Sequence, residues 1–207
     1  GMALQEEFID VNGTRVFQRK MVTDSNRRSI ALFHGYSFTS MDWDKADLFN
    51  NYSKIGYNVY APDYPGFGRS ASSEKYGIDR GDLKHAAEFI RDYLKANGVA
   101  RSVIMGASMG GGMVIMTTLQ YPDIVDGIIA VAPAWVESLK GDMKKIRQKT
   151  LLVWGSKDHV VPIALSKEYA SIISGSRLEI VEGSGHPVYI EKPEEFVRIT
   201  VDFLRNL

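Results

Sequence analysis

Val103-Ile104-Met105-Gly106-Ala107-Ser108-Met109-Gly110-Gly111-Gly112 decides how this chain is read. An apolar, β-prone run ends in Gly-x-Ser-x-Gly, and helix formers follow over 113–120. A strand that turns sharply into a helix holds its central residue in a strained backbone conformation. Gly106 and Gly110 suit such a turn because it leaves no room for a Cβ on either side. The outcome is a serine hydroxyl raised at the carboxyl edge of a sheet, beside a helix N-terminus, which is the mechanical content of a nucleophile elbow. A structural glycine turn is the competing reading, so the rest of the chain must supply a base, an acid and an oxyanion hole.

Outward from that stretch, the pattern is one of alternation. Residues 4–11 and 14–21 alternate apolar and polar around Asn12-Gly13, a hairpin signal. The runs 29–33, 57–62, 102–105, 128–132, 150–154 and 177–182 are continuously apolar or β-rich. Continuous apolarity suits strands covered on both faces, as in a parallel sheet. Between them, helices are expected over 45–54, 82–97, 139–148, 162–173 and 193–204. The clearest is 82–97, where Leu83, Ala87, Ile90 and Leu94 recur at helical spacing before Asn97-Gly98. A hairpin followed by strand–helix alternation predicts an α/β fold: a mostly parallel sheet with an N-terminal antiparallel hairpin and helices on both faces. Only 135–149 separates the strands at Ile128 and Thr150, so no lid or second domain fits there.

The chain has 207 residues, the size of one domain with a large core. Its 25 basic and 25 acidic residues balance, which gives no electrostatic case for nucleic acid or an anionic membrane. The absence of cysteine excludes disulfides, a thiol nucleophile and cysteine metal sites. The acidic start Gln5-Glu6-Glu7 lacks the form of a signal peptide, and no apolar run is long enough to span a bilayer. A cytoplasmic protein is expected, and Gly1 before Met2 reads as an expression remnant.

In an open parallel sheet, chemistry gathers where the strands end at their carboxyl side. His34, Asp63, Ser108, Asp158 and His186 all fall at such positions. Serine needs a base to take its proton, and the base needs a carboxylate to fix its tautomer. Asp158 and then His186 follow Ser108 in a workable order. His186 lies in a glycine-flanked loop that can bend over the sheet. His34 reads as a loop-holding residue, His85 as a helix-surface residue, and His159 as turned away if Asp158 points inward. For the acid, Asp158 leads, with Glu137 and Glu182 as alternatives, and Asp63 reads as a loop-fixing cap. Oxyanion donors are expected from the Met109 N–H and from Tyr36, with Ser37 next. Phe38, Met113, Trp135, Val160 and Tyr189 are the expected pocket walls beside Tyr36. No dinucleotide, phosphate-loop or metal-ligand spacing is found, so no cofactor or metal is expected.

His34-Gly35, the block from Asp63-Tyr64-Pro65-Gly66 to Phe67-Gly68-Arg69-Ser70, Gly106-Ala107-Ser108-Met109-Gly110, Gly155-Ser156-Lys157-Asp158 and Gly185-His186 occur in the order of the α/β-hydrolase superfamily, which the chain resembles over its whole length. His34-Gly35-Tyr36-Ser37-Phe38-Thr39-Ser40-Met41-Asp42-Trp43 and Gly185-His186-Pro187-Val188-Tyr189-Ile190-Glu191-Lys192-Pro193 resemble the small, lidless CIB-like branch. The resemblance implies a Ser108–His186–Asp158 triad acting on small esters. Tyr36 departs from the aliphatic residues common at its position, which would narrow the acyl pocket. The expectation is a cofactor-free serine hydrolase of small carboxylic esters or acyl groups. Perhydrolysis or carbon–carbon bond hydrolysis on the same site, and a non-catalytic interaction module, are its rivals.

Overall fold

The computed structural model describes residues 3–207. Gly1 and Met2, with the reading of Gly1 as an expression remnant, lie outside the described residues. The chain opens with β1 (Gln5–Val11) and β2 (Thr14–Met21), an antiparallel hairpin. Asn12 and Gly13 both take positive φ, at 49° and 93°, which matches the twist of a two-residue hairpin turn. Then come β3 (Arg28–Phe33), α1 (Leu48–Lys54), β4 (Tyr57–Pro62), α2 (Lys84–Ala96), β5 (Ser102–Ala107) and α3 (Met109–Gln120). The second half runs β6 (Val125–Val131), α4 (Lys140–Met143), β7 (Thr150–Gly155), α5 (Ala164–Ile172), β8 (Ser176–Val181), α6 (Val188–Glu191) and α7 (Pro193–Arg205).

The sheet has eight strands in the order β1-β2-β4-β3-β5-β6-β7-β8. β2 pairs antiparallel with β1 and β4, and every pair from β4 to β8 is parallel. Successive strand residues point to opposite faces, and here both faces are buried. Ala31, Phe33, Ile104, Ile128, Leu152 and Trp154 join a core under α2, α3, α4 and α5. Ile30, Leu32, Val103, Met105, Ile129 and Val153 join a second core under α1, α6 and α7. That arrangement is the physical reason the strands read as continuous apolar runs.

Two elements differ from the expectation. The helix expected over 139–148 is only the four residues of α4, preceded by a 3-10 turn at Glu137–Leu139. Val136, Met143 and Ile146 keep helical spacing and are buried. Tighter i→i+3 bonds satisfy that spacing: Lys145 N–H to Asp142 O at 2.9 Å and Ile146 N–H to Met143 O at 3.1 Å. The helix expected over 45–54 is split. A 3-10 segment, Ser40–Ala46, comes first, with a capping box between Thr39 and Asp42. Asp47 at φ 51° then breaks the path before α1.

Candidate active site

Ser108 sits between β5 and α3 at φ 55° and ψ −111°. A non-glycine residue with positive φ is costly unless its surroundings fix it. They do: its N–H donates to Val131 O at 2.8 Å, and its carbonyl accepts from Gly112 N–H at 3.0 Å and Ala134 N–H at 2.9 Å. The glycines on either side are needed for contact rather than for freedom. A Cβ on Gly106 would lie 2.0 Å from Gly110 O, and one on Gly110 would lie 1.9 Å from Phe33 O. α3 is thereby pressed onto the ends of β3 and β5, with its N-terminus beside Ser108.

Asp158 follows β7, and His186 follows β8. The two meet: His186 Nδ1 lies 2.7 Å from Asp158 Oδ2, and the Asp158 side chain is fully buried. Asp158 Oδ1 accepts the backbone N–H groups of Val160, at 2.8 Å, and Val161, at 3.0 Å. Burial pushes the Asp158 carboxyl up. The hydrogen bonds from His186, Val161 and Val160 outweigh burial and hold it below the usual carboxylate range. An ionised Asp158 at Nδ1 leaves the His186 Nε2 lone pair free to accept a proton. The two loops are also tied to each other. Lys157 N–H donates to Ser184 O at 2.8 Å, and a Cβ on Gly155 would lie 2.2 Å from Gly185 O. Gly185 N–H donates to Glu191 Oε1 at 2.8 Å, so α6 braces the His186 loop.

The loop after β3 supplies the other wall. Gly35 packs against the elbow, since a Cβ there would lie 3.4 Å from Ser108 Cβ. His34 is buried and holds this loop to the one after β4. Tyr64 N–H donates to its Nε2 at 2.9 Å, and its Nδ1 donates to Gly35 O at 2.8 Å. Asp63 receives Ser40 N–H at 2.8 Å and Arg69 N–H at 2.9 Å. Both therefore fix loops, as their sequence positions suggest. His85 and His159 are exposed, as are Glu137 and Glu182.

Ser108 and His186 line one cavity of about 800 Å³, together with Tyr36, Ser37, Phe38, Trp135 and Val160. That volume is in the range of small-ligand sites. Met109 N–H, at the first position of α3, has no acceptor within its own helix by geometry, as an oxyanion donor requires. Two expected wall residues are elsewhere. Met113 is fully buried in the core under α3. Tyr189 is buried against Trp43, with ring centroids 4.7 Å apart, and backs Phe38 at 6.1 Å instead of facing the cavity. Met113 lies in the core between α3 and the sheet, and Tyr189 lies in an aromatic cluster with Trp43 and Phe196. Several wall residues were not foreseen, among them Ala134, Val161, Leu165 and Pro187, and the one that carries a positive charge is Arg80, from the long loop between β4 and α2. Among the described residues, no group of three His, Asp or Glu side chains is placed to hold a metal ion.

A serine at the elbow, an imidazole on a buried carboxylate and a cavity they share are the marks of one class of protein, the hydrolases built on this sheet. The profile of the alpha/beta hydrolase fold family matches residues 29–149 and 137–193, and the chain belongs to that family. It is 27% identical to the rat "Putative protein-lysine deacylase ABHD14B", over 99% of this chain and 97% of that protein. It is 26% identical to the zebrafish "Protein ABHD14A", over 92% of this chain and 72% of that protein. Carboxylesterase CesB of Bacillus subtilis superposes with a TM-score of 0.87 at 16% identity, covering 99% of this chain and 93% of the other. A meta-cleavage product hydrolase of Pseudomonas fluorescens superposes with a TM-score of 0.86 at 20% identity, covering 97% of each chain. The two superpositions speak to the fold alone; the family match and the curated relatives support hydrolase activity.

Proposed function

We propose that this protein is a serine hydrolase that cleaves small carboxylic esters or acyl groups through an acyl-enzyme. Ser108 is the nucleophile, His186 the general base and Asp158 the residue that orients it. The observation that carries this reading is the 2.7 Å Asp158–His186 hydrogen bond at the wall of the cavity that Ser108 lines. In the first step Ser108 Oγ attacks the acyl carbon, and its proton passes to His186 Nε2. The oxyanion is received by Met109 N–H and the Tyr36 N–H. The tetrahedral adduct collapses, and His186 returns the proton to the departing alcohol or amine. Water, deprotonated by the same nitrogen, then releases the acid and restores Ser108. Water supplies the hydroxyl that ends on the acid and the proton that restores Ser108, and side chains and backbone carry the other proton transfer and stabilise the charge. The deacylase name of the rat relative supports acyl transfer from nitrogen as well as oxygen. The balanced charge of the chain supports a small-molecule substrate over nucleic acid or a membrane surface.

Ala134, Trp135 and Glu137 of the segment over 132–149 reach the cavity wall, but Val136, Met143 and Ile146 tie the rest of it to the core, so little of it is left to cover a long acyl chain. An enclosed chain would gain about 0.8 kcal/mol per methylene, roughly fourfold in binding. Here that gain stops early, and acetyl to butyryl esters give the highest kcat/KM. The test is a fluorophosphonate label with peptide mapping, beside a p-nitrophenyl ester series from acetate to palmitate on the native chain and on Ser108→Ala. The label maps to Ser108, and the substitution costs on the order of a millionfold in kcat. Turnover by Ser108→Ala within tenfold of native removes Ser108 from the reaction. A kcat/KM still climbing past octanoate overturns the preference for small substrates.

A further inference from the structure

Arg80 is an exposed guanidinium on the wall of an otherwise mainly apolar cavity. Its carbon sits 5.0 Å from the ring centroid of Trp135 and 5.6 Å from that of Tyr36. Those two rings are themselves edge to face, with centroids 6.2 Å apart. Two aromatic faces favour the cation and limit where it can swing. The loop beneath is braced: Gly81 N–H donates to Asp79 Oδ1 at 2.8 Å, and Lys84 N–H to Asp82 Oδ1 at 2.9 Å. Arg80 takes part in no ion pair among the described residues. Arg19, Arg91, Arg101 and Arg177, by contrast, each hold a carboxylate within about 3 Å. An arginine bedded on aromatic rings keeps its N–H edge for a planar, two-oxygen partner. The cavity's other formal charge, Glu137, has no such bed: it is exposed at the start of a short 3-10 turn and is screened by solvent.

We infer that Arg80 selects substrates carrying a carboxylate away from the scissile bond, on either the acyl or the leaving-group arm. This rests on the acyl-hydrolase reading of Ser108 and names its substrate class. Arg80 acts in binding and is not a catalytic residue.

The experiment compares matched esters, each rate divided by its rate of alkaline hydrolysis. The acetyl esters of 4-hydroxybenzoate, 4-hydroxybenzamide and 4-(aminomethyl)phenol place an anionic, a neutral or a cationic group on the leaving arm. Phenyl hydrogen adipate and phenyl adipamate do the same, anionic against neutral, on the acyl arm. In the native enzyme, at least one anionic ester exceeds its neutral partner about tenfold in kcat/KM, mainly through KM, as one charge-assisted contact implies. Arg80→Gln collapses that ratio, and Arg80→Lys restores part of it. Loss of Arg80 as a mere brace for Trp135 and Tyr36 would lower both members of a pair alike and leave the ratio unchanged, which overturns the inference. So does a native ratio near one in both pairs, or a preference for the cationic ester. If no ester is turned over and no label reaches Ser108, the underlying reading fails and takes this one with it. If neutral esters are turned over normally without an anionic preference, only the inference fails.

Discussion

Tyr64 N–H donates to His34 Nε2 at 2.9 Å, and that bond decides where the imidazole proton sits. Nε2 must be bare, so Nδ1 carries the proton and gives it to Gly35 O. His34 is thus a neutral clamp between the loop after β3 and the loop after β4. Burial pulls its pKa below the usual 6.5, against a smaller upward pull from Gly35 O.

The stability consequence has a definite sign. Below pH 6.5 the unfolded chain takes up a proton that buried His34 resists, so this contribution is complete above 6.5 and is lost as pH falls below it. The lowered pKa of Asp158 acts in a separate window, below 3.8. Urea unfolding at about pH 7.5 and about pH 5.5 should show the native protein weaker at the lower value. His34→Gln removes the titrating group. It should be less stable at the higher pH by about 1–3 kcal/mol, from imperfect replacement of two buried bonds. Its difference between the two pH values should be smaller than native. An equal or larger difference would place the pH sensitivity elsewhere.

Asp158→Asn should lower kcat about ten-thousandfold, because an amide at Nδ1 favours the wrong imidazole tautomer. Glu137→Gln should change it by no more than a few fold on neutral esters, since Glu137 is exposed and His186 is already held by Asp158. Steady-state kinetics on p-nitrophenyl acetate decides between them. The reverse ranking would assign the acid to the segment after β6.

Two glycine substitutions should have opposite outcomes. Gly110→Ala puts a methyl group 1.9 Å from the Phe33 carbonyl, where backbone stands on both sides, and should cost at least about 4 kcal/mol or abolish folding. Gly141→Ala, in α4, meets nothing within 4 Å and should raise stability by about 0.5 kcal/mol through helix propensity. Thermal melts of both variants check the pair. A stable Gly110→Ala protein would mean that α3 can back away from β3.

Much of this architecture is legible in the sequence because its signals are local. β4 falls on 57–62 as its apolar run predicts, and the hairpin turns at Asn12-Gly13. Ser108, Asp158 and His186 stand out because each follows a β-prone run, continuously apolar before Ser108 and Asp158 and alternating before His186, and sits among turn residues. The 3-10 segment after Thr39 had a readable signal in Thr39-Ser40-Met41-Asp42, a capping box. Arg80 had none. It lies in a loop without periodicity, and only the folded path of 63–83 brings it to Tyr36 and Trp135. Met113 and Tyr189 misled for the related reason that an apolar residue near a motif looks the same whether it faces a cavity or the core. Which way it points is settled by the helix's rotation on the sheet, a long-range property.

β8 is one of the two edge strands, bonded on one side only to β7, and its side chains are mostly half-exposed. Ser108 follows β5, which has partners on both sides, but His186 follows β8. In the proposed reaction the nucleophile and its base therefore belong to regions with different opening free energies. Fraying of the edge carries the imbalance: an intact centre with a withdrawn imidazole is folded by most spectroscopic criteria and inert toward substrate. The working temperature limit is then set by local opening of 176–181, which amide exchange over that strand reads, not by the melting of the core, and pinning that edge would extend the useful range without touching the elbow.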